Sequence, residues 1–263
     1  MQIKPKKSLG QNFLTDKNII KLIVKLGNIK ENDIVVEVGP GTGNLTSEIL
    51  LQKPEKLLLV EKDNELTKKL ANKFKDKINI INDDILKVKL EKIIKKRIII
   101  FGNLPYNIST QILVKWIRLK NLNSFCKKFI LMFQKEVADR IVAEANNKNY
   151  GRLSILCSWK MNTKKIKDIH PNSFFPSPKV ESTILVMEPK KKVFNINNPK
   201  NLEFITSVFF NQRRKMIKKP LNLIFKNPKK IATKFNLNLS NRPQNLKPSI
   251  YFNLCKEYED LMN

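Results

Sequence analysis

Between residues 34 and 133, short apolar runs alternate with amphipathic stretches. The runs at 34–38, 57–60, 78–81, 98–101 and 129–133 are rich in Ile, Leu, Val and Phe and are bounded by charge. That is the pattern of short strands buried on both faces. Between them, residues 45–51, 65–74 and 110–119 carry apolar positions at helical spacing. Repeated strand–helix–strand order predicts an α/β fold, a mostly parallel sheet with helices on both faces. Ligands of such sheets bind beyond the carboxyl ends of the strands, so the residues just after each run are the ones to inspect.

After Tyr150 the pattern changes. Residues 150–159, Tyr-Gly-Arg-Leu-Ser-Ile-Leu-Cys-Ser-Trp, read equally as helix or strand. Residues 172–180 form a proline-stiffened loop, 182–187 a closing strand and 189–199 a linker. From 201 to 263 helical periodicity is broken by Pro220, Pro228, Pro243 and Pro248, which suits a small all-helical domain. The expected division is a sheet domain at 1–190 and a helical domain at 191–263. No apolar run approaches the ~20 residues that cross a bilayer, and the basic stretch Met1–Lys7 has no apolar segment behind it. A cytoplasmic protein is expected.

Charge sharpens the picture. The chain carries 51 Lys and Arg against 23 Asp and Glu, a net charge of +28. Lys outnumbers Arg by 44 to 7, a bias that overall compositional drift accounts for. Drift does not account for the shortage of acids, and an excess of this size favours a polyanionic partner. No basic amphipathic helix with a Trp-rich apolar face is evident, which places nucleic acid ahead of a membrane surface. Residues 190–263 hold 16 basic against 4 acidic residues, and residues 1–189 hold 35 against 19, so the tail is the denser region. Cys126, Cys157 and Cys255 are scattered, and His170 is the only histidine. Disulfides, a structural zinc site and Ser-His-Asp or Cys-His catalysis are therefore not expected. The chemistry must rest on a reactive cofactor.

The first run leads into Glu37-Val38-Gly39-Pro40-Gly41-Thr42-Gly43 and then a helix. Glycines permit positive φ and close approach of a ligand to the backbone. The third glycine is misplaced for a dinucleotide fingerprint, and no Gly-Lys-Ser/Thr of a P-loop follows. The arrangement resembles the first motif of Rossmann-like methyltransferases, whose loop wraps the methionine end of S-adenosyl-L-methionine. The second run ends at Glu61, where a carboxylate can accept from both ribose hydroxyls. The third ends in Asn82-Asp83-Asp84, with Asp84 placed to accept from the cofactor's adenine amino group and Asp83 as the alternative.

Asn103-Leu104-Pro105-Tyr106 follows the fourth run. An exocyclic adenine nitrogen is a poor nucleophile because its lone pair is delocalised into the ring. Two acceptors for its hydrogens, Asn103 Oδ1 and the Leu104 carbonyl, would favour a tetrahedral nitrogen bearing its lone pair. Pro105 stiffens the turn, and the Tyr106 ring offers a face on which a base stacks. Further on, Phe174-Phe175-Pro176-Ser177-Pro178 supplies a second ring, from Phe174 or Phe175, for the other face of an extruded base.

Seven segments fall in one order: Ser8 to Leu14, Glu37 to Gly43, Asn103 to Thr110, Gln134 to Ala138, Tyr150 to Ser154, Phe174 to Val180 and Gln212-Arg213-Arg214-Lys215. Together they resemble the bacterial 16S rRNA adenine dimethyltransferases (KsgA-type). The resemblance implies a Rossmann-like class I methyltransferase domain with a small helical C-terminal domain. It implies dimethylation of N6 on two adjacent adenines near the 3′ end of 16S rRNA in the small ribosomal subunit, by a monomer. Asn12, Leu14, Gly39, Gly41, Glu61, Asp84 and Asn103 are then the cofactor-binding positions. Leu104 and Tyr106 stand at the acceptor with Phe174, and Arg213, Arg214 and Lys215 on RNA. Without the resemblance, residues 11–14 read as a lead-in to a helix capped by Thr15 or Asp16. The chain departs from the family at Gln111, where proline is frequent, and at Lys218-Lys219-Pro220, where a more polar stretch is usual.

Overall fold

The computed structural model describes residues 5–262; residues 1–4 of the basic N-terminal stretch lie outside them. In chain order the strands are β1 (Phe13–Leu14), β2 (Ile34–Val38), β3 (Lys56–Glu61), β4 (Asn79–Asn82), β5 (Ile98–Asn103), β6 (Cys126–Gln134), β7 (Met161–Ile169), β8 (Phe174–Phe175) and β9 (Ser182–Pro189). The helices up to β6 are α1 (Lys17–Gly27), α2 (Asn44–Leu50), α3 (Asn64–Phe74), α4 (Leu90–Ile93), α5 (Ser109–Ile117) and α6 (Leu122–Phe125). Then come α7 (Lys135–Val142), α8 (Arg152–Lys160), α9 (Pro199–Phe210), α10 (Lys218–Ile224), α11 (Pro228–Lys234) and α12 (Pro248–Met262).

Seven strands form one sheet in the order β4-β3-β2-β5-β6-β9-β7. β2 runs parallel to both β3 and β5, with Val36 opposite Leu58 and Ile100. β3–β4 and β5–β6 are also parallel, and β9 returns antiparallel to β6. The sheet is mostly parallel, as the alternation predicts. From β2 the chain first builds outward through β3 and β4, then crosses back to place β5 on the other side. That reversal opens a crevice beyond the ends of β2 and β5, the usual ligand position in such sheets. All of β2 is buried, and Val35, Leu59, Ile99, Phe101 and Ile130 share a core with Ile19, Ile20, Ile23 and Val24 of α1. Asp16 caps α1 by accepting from the N–H groups of Asn18 (2.9 Å) and Ile19 (3.1 Å).

Three departures from the sequence pattern have physical causes. β5 continues two residues past the apolar run, so Asn103 ends the strand and pairs with Met132. β7 has no counterpart in the apolar pattern: Lys164, Lys165 and Lys167 interrupt it, and it lies at the sheet edge, where lysines deter pairing with other chains. The ambiguous stretch after Tyr150 resolves as a helix from Arg152 to Lys160, α8, buried on most sides, which erases the periodicity that would have declared it.

The chain packs as two compact units, Met1–Ala138 with Thr163–Pro189, and Asp139–Asn162 with Lys190–Asn263. The expected boundary at 190 is therefore incomplete, because 139–162 belongs with the helical unit. The Tyr150 hydroxyl donates to the Leu246 carbonyl (2.9 Å), and the Trp159 indole to the Phe194 carbonyl (2.8 Å). In this unit Leu202, Ile205 and Phe209 of α9 and Tyr251 and Leu254 of α12 are buried. The buried Glu259 carboxylate accepts from the N–H groups of Asn197 (2.9 Å) and Asn198 (2.8 Å) at the start of α9. Pro199, Pro228 and Pro248 open helices rather than break them, since a first-turn residue has no intrahelical N–H bond to lose.

Candidate active site

The ends of β2, β3, β4 and β5 surround a cleft that encloses about 1160 Å³ of space, its open mouth included. Gly39 and Gly41 in the loop after β2 have φ of 69° and 57°. A Cβ on Gly41 would stand 2.7 Å from Phe13 Cδ1, so only glycine fits beneath that ring. The Gly39 N–H donates to the Val60 carbonyl at 3.0 Å, tying the loop to the end of β3.

Three carboxylates stand at these strand ends. Glu37 is buried and accepts from the Thr46 hydroxyl at 2.7 Å. Burial pushes its carboxyl up to about 8; the Thr46 bond opposes this and the charge of Glu61 adds to it. Glu61 Oε1 accepts from the Asp63 N–H at 2.9 Å and Oε2 from the Gly41 N–H at 3.4 Å. Burial raises its carboxyl above the ordinary range against the pull of these N–H groups. Asp84 accepts from the Leu86 N–H and the Lys62 ammonium, both at 2.9 Å. Burial works against its charge, but those two donors outweigh it and hold the carboxyl below the ordinary range. Asp83 lines the same cleft.

On the other side of β2, Asn103 Nδ2 donates to the Asn12 carbonyl at 2.7 Å, which leaves Oδ1 as the amide's available end. The Tyr106 hydroxyl shares a 2.5 Å hydrogen bond with Ser182 Oγ, fixing the tilt of the ring, and burial raises its pKa. The Ser109 hydroxyl donates to the Tyr106 carbonyl at 3.2 Å, so α5 starts directly from the motif. The N-terminal segment crosses the cleft: Asn44 Nδ2 donates to the Leu14 carbonyl (2.9 Å), and β1 pairs antiparallel with β8.

Of the residues expected from sequence, Asn12, Leu14, Gly39, Gly41, Glu61, Asp84, Asn103, Leu104 and Tyr106 all line this one cleft. Phe174 does not. It pairs with Leu14 and packs in the core, 4% exposed, while Phe175 stands 57% exposed. The basic segment divides as well. Arg213 donates to Gln244 Oε1 (3.0 Å) and to the carbonyls of Asn147 and Lys148, a clamp within the helical unit, whereas Arg214 and Lys215 are exposed. Sequence reasoning missed Thr46, Asp63, Ser182 and Lys115, whose ammonium donates to the Ile85 carbonyl (2.7 Å) and steadies the loop after Asp84. Asp63, Ser182 and Lys115 act through contacts 30 or more residues away, and Thr46 reaches back from α2 to Glu37 across the glycine loop, none of which the motifs encode.

The donor set fits S-adenosylmethionine: a glycine turn that a Cβ would fill, a buried carboxylate at the end of β3, and acids at the end of β4. Residues 2–260 match the family model described as ribosomal RNA adenine dimethylase. The chain belongs to that family. It is 56% identical over 261 residues to the ribosomal RNA small subunit methyltransferase A of Pelagibacter ubique, covering 99% of both chains. Against the protein of that name from a Wolbachia of Drosophila simulans the identity is 42%, covering 93% of this chain and 90% of the other. A dimethyladenosine transferase structure from Plasmodium falciparum superposes with a TM-score of 0.77 at 26% identity, over 94% of this chain and 98% of that one. The 23S rRNA methyltransferase ErmE shares the fold, with a TM-score of 0.71 at 20% identity over 94% and 100%. The family fixes the class of enzyme: an S-adenosylmethionine-dependent rRNA adenine dimethyltransferase on a Rossmann-like class I fold.

Proposed function

We propose that this enzyme dimethylates N6 of two adjacent adenines near the 3′ end of 16S rRNA, during biogenesis of the small subunit. The near full-length similarity to small subunit methyltransferases supports that target. The observation that carries the chemistry is the Asn103 amide, its Nδ2 held by the Asn12 carbonyl at 2.7 Å, one strand from the glycine loop.

S-adenosylmethionine, when bound, supplies a methyl group activated by a sulfonium. Gly39 and Gly41 would lie against its methionine end, Glu61 would accept from its ribose, and Asp84 or Asp83 would face its adenine. Asn12 and Leu14 would cover it. At the acceptor, Asn103 Oδ1 and the Leu104 carbonyl accept from the N6 hydrogens, which draws the nitrogen toward a tetrahedral geometry with an available lone pair. Fixing that nitrogen in line is the protein's main contribution, since an aligned pair of reactants removes much of the entropic barrier. Tyr106 provides the stacking face, worth about 1–3 kcal/mol per base by truncation. Phe174 contributes by seating β1 against β8, and Phe175 is the ring exposed for contact with RNA. Residues 191–263 form the main RNA-gripping part, with Arg214 and Lys215 among its contacts. The enzyme acts as a monomer in the cytoplasm.

The decisive experiment is methylation of 30S and 50S subunits purified from a strain lacking the modification, followed by mapping of the methylated nucleotides. Two adjacent dimethyladenosines in 16S rRNA are expected. Modification confined to 23S rRNA would overturn the proposed target.

A further inference from the structure

Asp63 lies two residues past Glu61, and its carboxylate is buried although it belongs to no sequence motif. Its Oδ1 accepts from Lys6 Nζ (2.9 Å) and from the Glu65 N–H (3.0 Å), and its Oδ2 from Gln11 Nε2 (2.9 Å). Gln11 Oε1 in turn accepts from the Lys6 N–H (2.8 Å), and the Leu9 N–H donates to the Lys6 carbonyl (3.1 Å). Residues 6–11 are thus a closed strap fastened at both ends to one carboxylate. The next residue, Asn12, is the one whose carbonyl receives Asn103 Nδ2.

An asparagine amide has nearly the same shape when its oxygen and nitrogen are exchanged, and only its hydrogen-bond partners decide which end points where. A flipped Asn103 would present an NH₂ group to the amino group of adenine, donor against donor. The Asn12 carbonyl forbids that flip, because it would then face Asn103 Oδ1, acceptor against acceptor. Its ability to do so depends on where the strap sits.

We propose that Asp63, through Gln11 and Lys6, is a positioning residue that seats the strap so that Asn12 holds the Asn103 amide with Oδ1 toward the target nitrogen. The inference rests on the role given to Asn103 above. It adds a second task for a segment otherwise read as cover for the cofactor. The Asp63 N–H that supports Glu61 is backbone and survives a change of side chain, so the two tasks are separable by substitution.

The test uses full-length Gln11→Ala, Asp63→Asn and their double variant. Asp63→Asn keeps a helix-capping oxygen for the Glu65 N–H but sets an NH₂ group against Gln11 Nε2. Three quantities are measured: affinity for S-adenosylhomocysteine, affinity for the rRNA substrate, and the single-turnover methylation rate at saturating cofactor and RNA. Each single variant should lose about tenfold or more in rate at saturation, the scale of a sub-ångström to ångström misplacement of a reacting group. RNA affinity should not change, and the double variant should lose less than the product of the singles because both break one path. A loss that disappears at saturating cofactor would reduce the strap to a cover and overturn the inference. Wild-type rates in both variants beside an inactive Asn103→Ala would overturn it while sparing the role of Asn103. A wild-type rate in Asn103→Ala would remove that role and the inference together.

Discussion

The acids of the sheet unit and the cations of the helical unit are held in opposite ways. Glu37, Glu61 and Asp63 are each less than a tenth exposed, and each accepts from specific partners: the Thr46 hydroxyl, the Asp63 N–H and the Lys6 ammonium. Most of the tail's lysines and arginines lie at the surface, and Arg213, in the most promising basic segment, is tied to Gln244 and two backbone carbonyls. A buried carboxylate must be satisfied where it stands, so its position carries information about a site. A surface cation on a long flexible stem is satisfied by water nearly anywhere, so its position carries little. Charge density locates a binding face broadly; buried acids locate a cleft to the residue.

The largest test of this contrast is Asn103→Ala, at the centre of the ordered side. Loss of one preorganised hydrogen-bonding group at a reacting centre costs about 10²–10³-fold in rate. Single-turnover methylation should fall by that factor with RNA affinity unchanged by filter binding; equal loss of both would deny Asn103 its role. Next is Arg213→Ala, which should destabilise the helical unit by about 1–3 kcal/mol, because three acceptors lose their donor. Calorimetric melting measures it, and an unchanged melt with weakened RNA binding would return Arg213 to the phosphate contacts.

Glu37→Gln gives a smaller effect that depends on pH. Folded Glu37 titrates at about 8 and the unfolded side chain near 4.5, so the folded state holds the proton more tightly. Its contribution is complete below about 4.5 and is lost as pH rises through about 8. The amide of the variant cannot ionise, so its melting temperature should gain on wild type between pH 5 and pH 8.5. A constant difference across that range would mean that Glu37 is not held protonated. The smallest effect is expected for Arg214→Ala and Lys215→Ala, with stability unchanged. The slope of log affinity against log salt should flatten by about 0.7–0.9 for each phosphate that is no longer neutralised. An unchanged slope would remove that residue from the RNA interface.

Legibility followed the same line. Gly39, Gly41, Glu61, Asp84 and Asn103 could be named from sequence because each stands at or just past a strand end, marked by the change from apolar to polar residues, whereas Asn12 and Leu14 follow only from the family resemblance. Phe174 escapes such a reading because nothing local tells a ring aimed at a cleft from one that seats a strand; its pairing with Leu14 spans most of the sheet unit. Residues 139–162 fall to the wrong core for a related reason: hydrophobicity says that a helix is buried, not against what.

By itself the sequence determined the alternation of strands and helices, the glycine turn, and the acids and the amide at four successive strand ends. These are local properties, fixed by side-chain period and backbone freedom. Only the tertiary structure decided which way the Asn103 amide faces, which arginine is committed to a clamp, and that Asp63 fastens a strap from the start of the chain. Those outcomes depend on hydrogen-bond partners 31 to 91 residues apart, paired by packing.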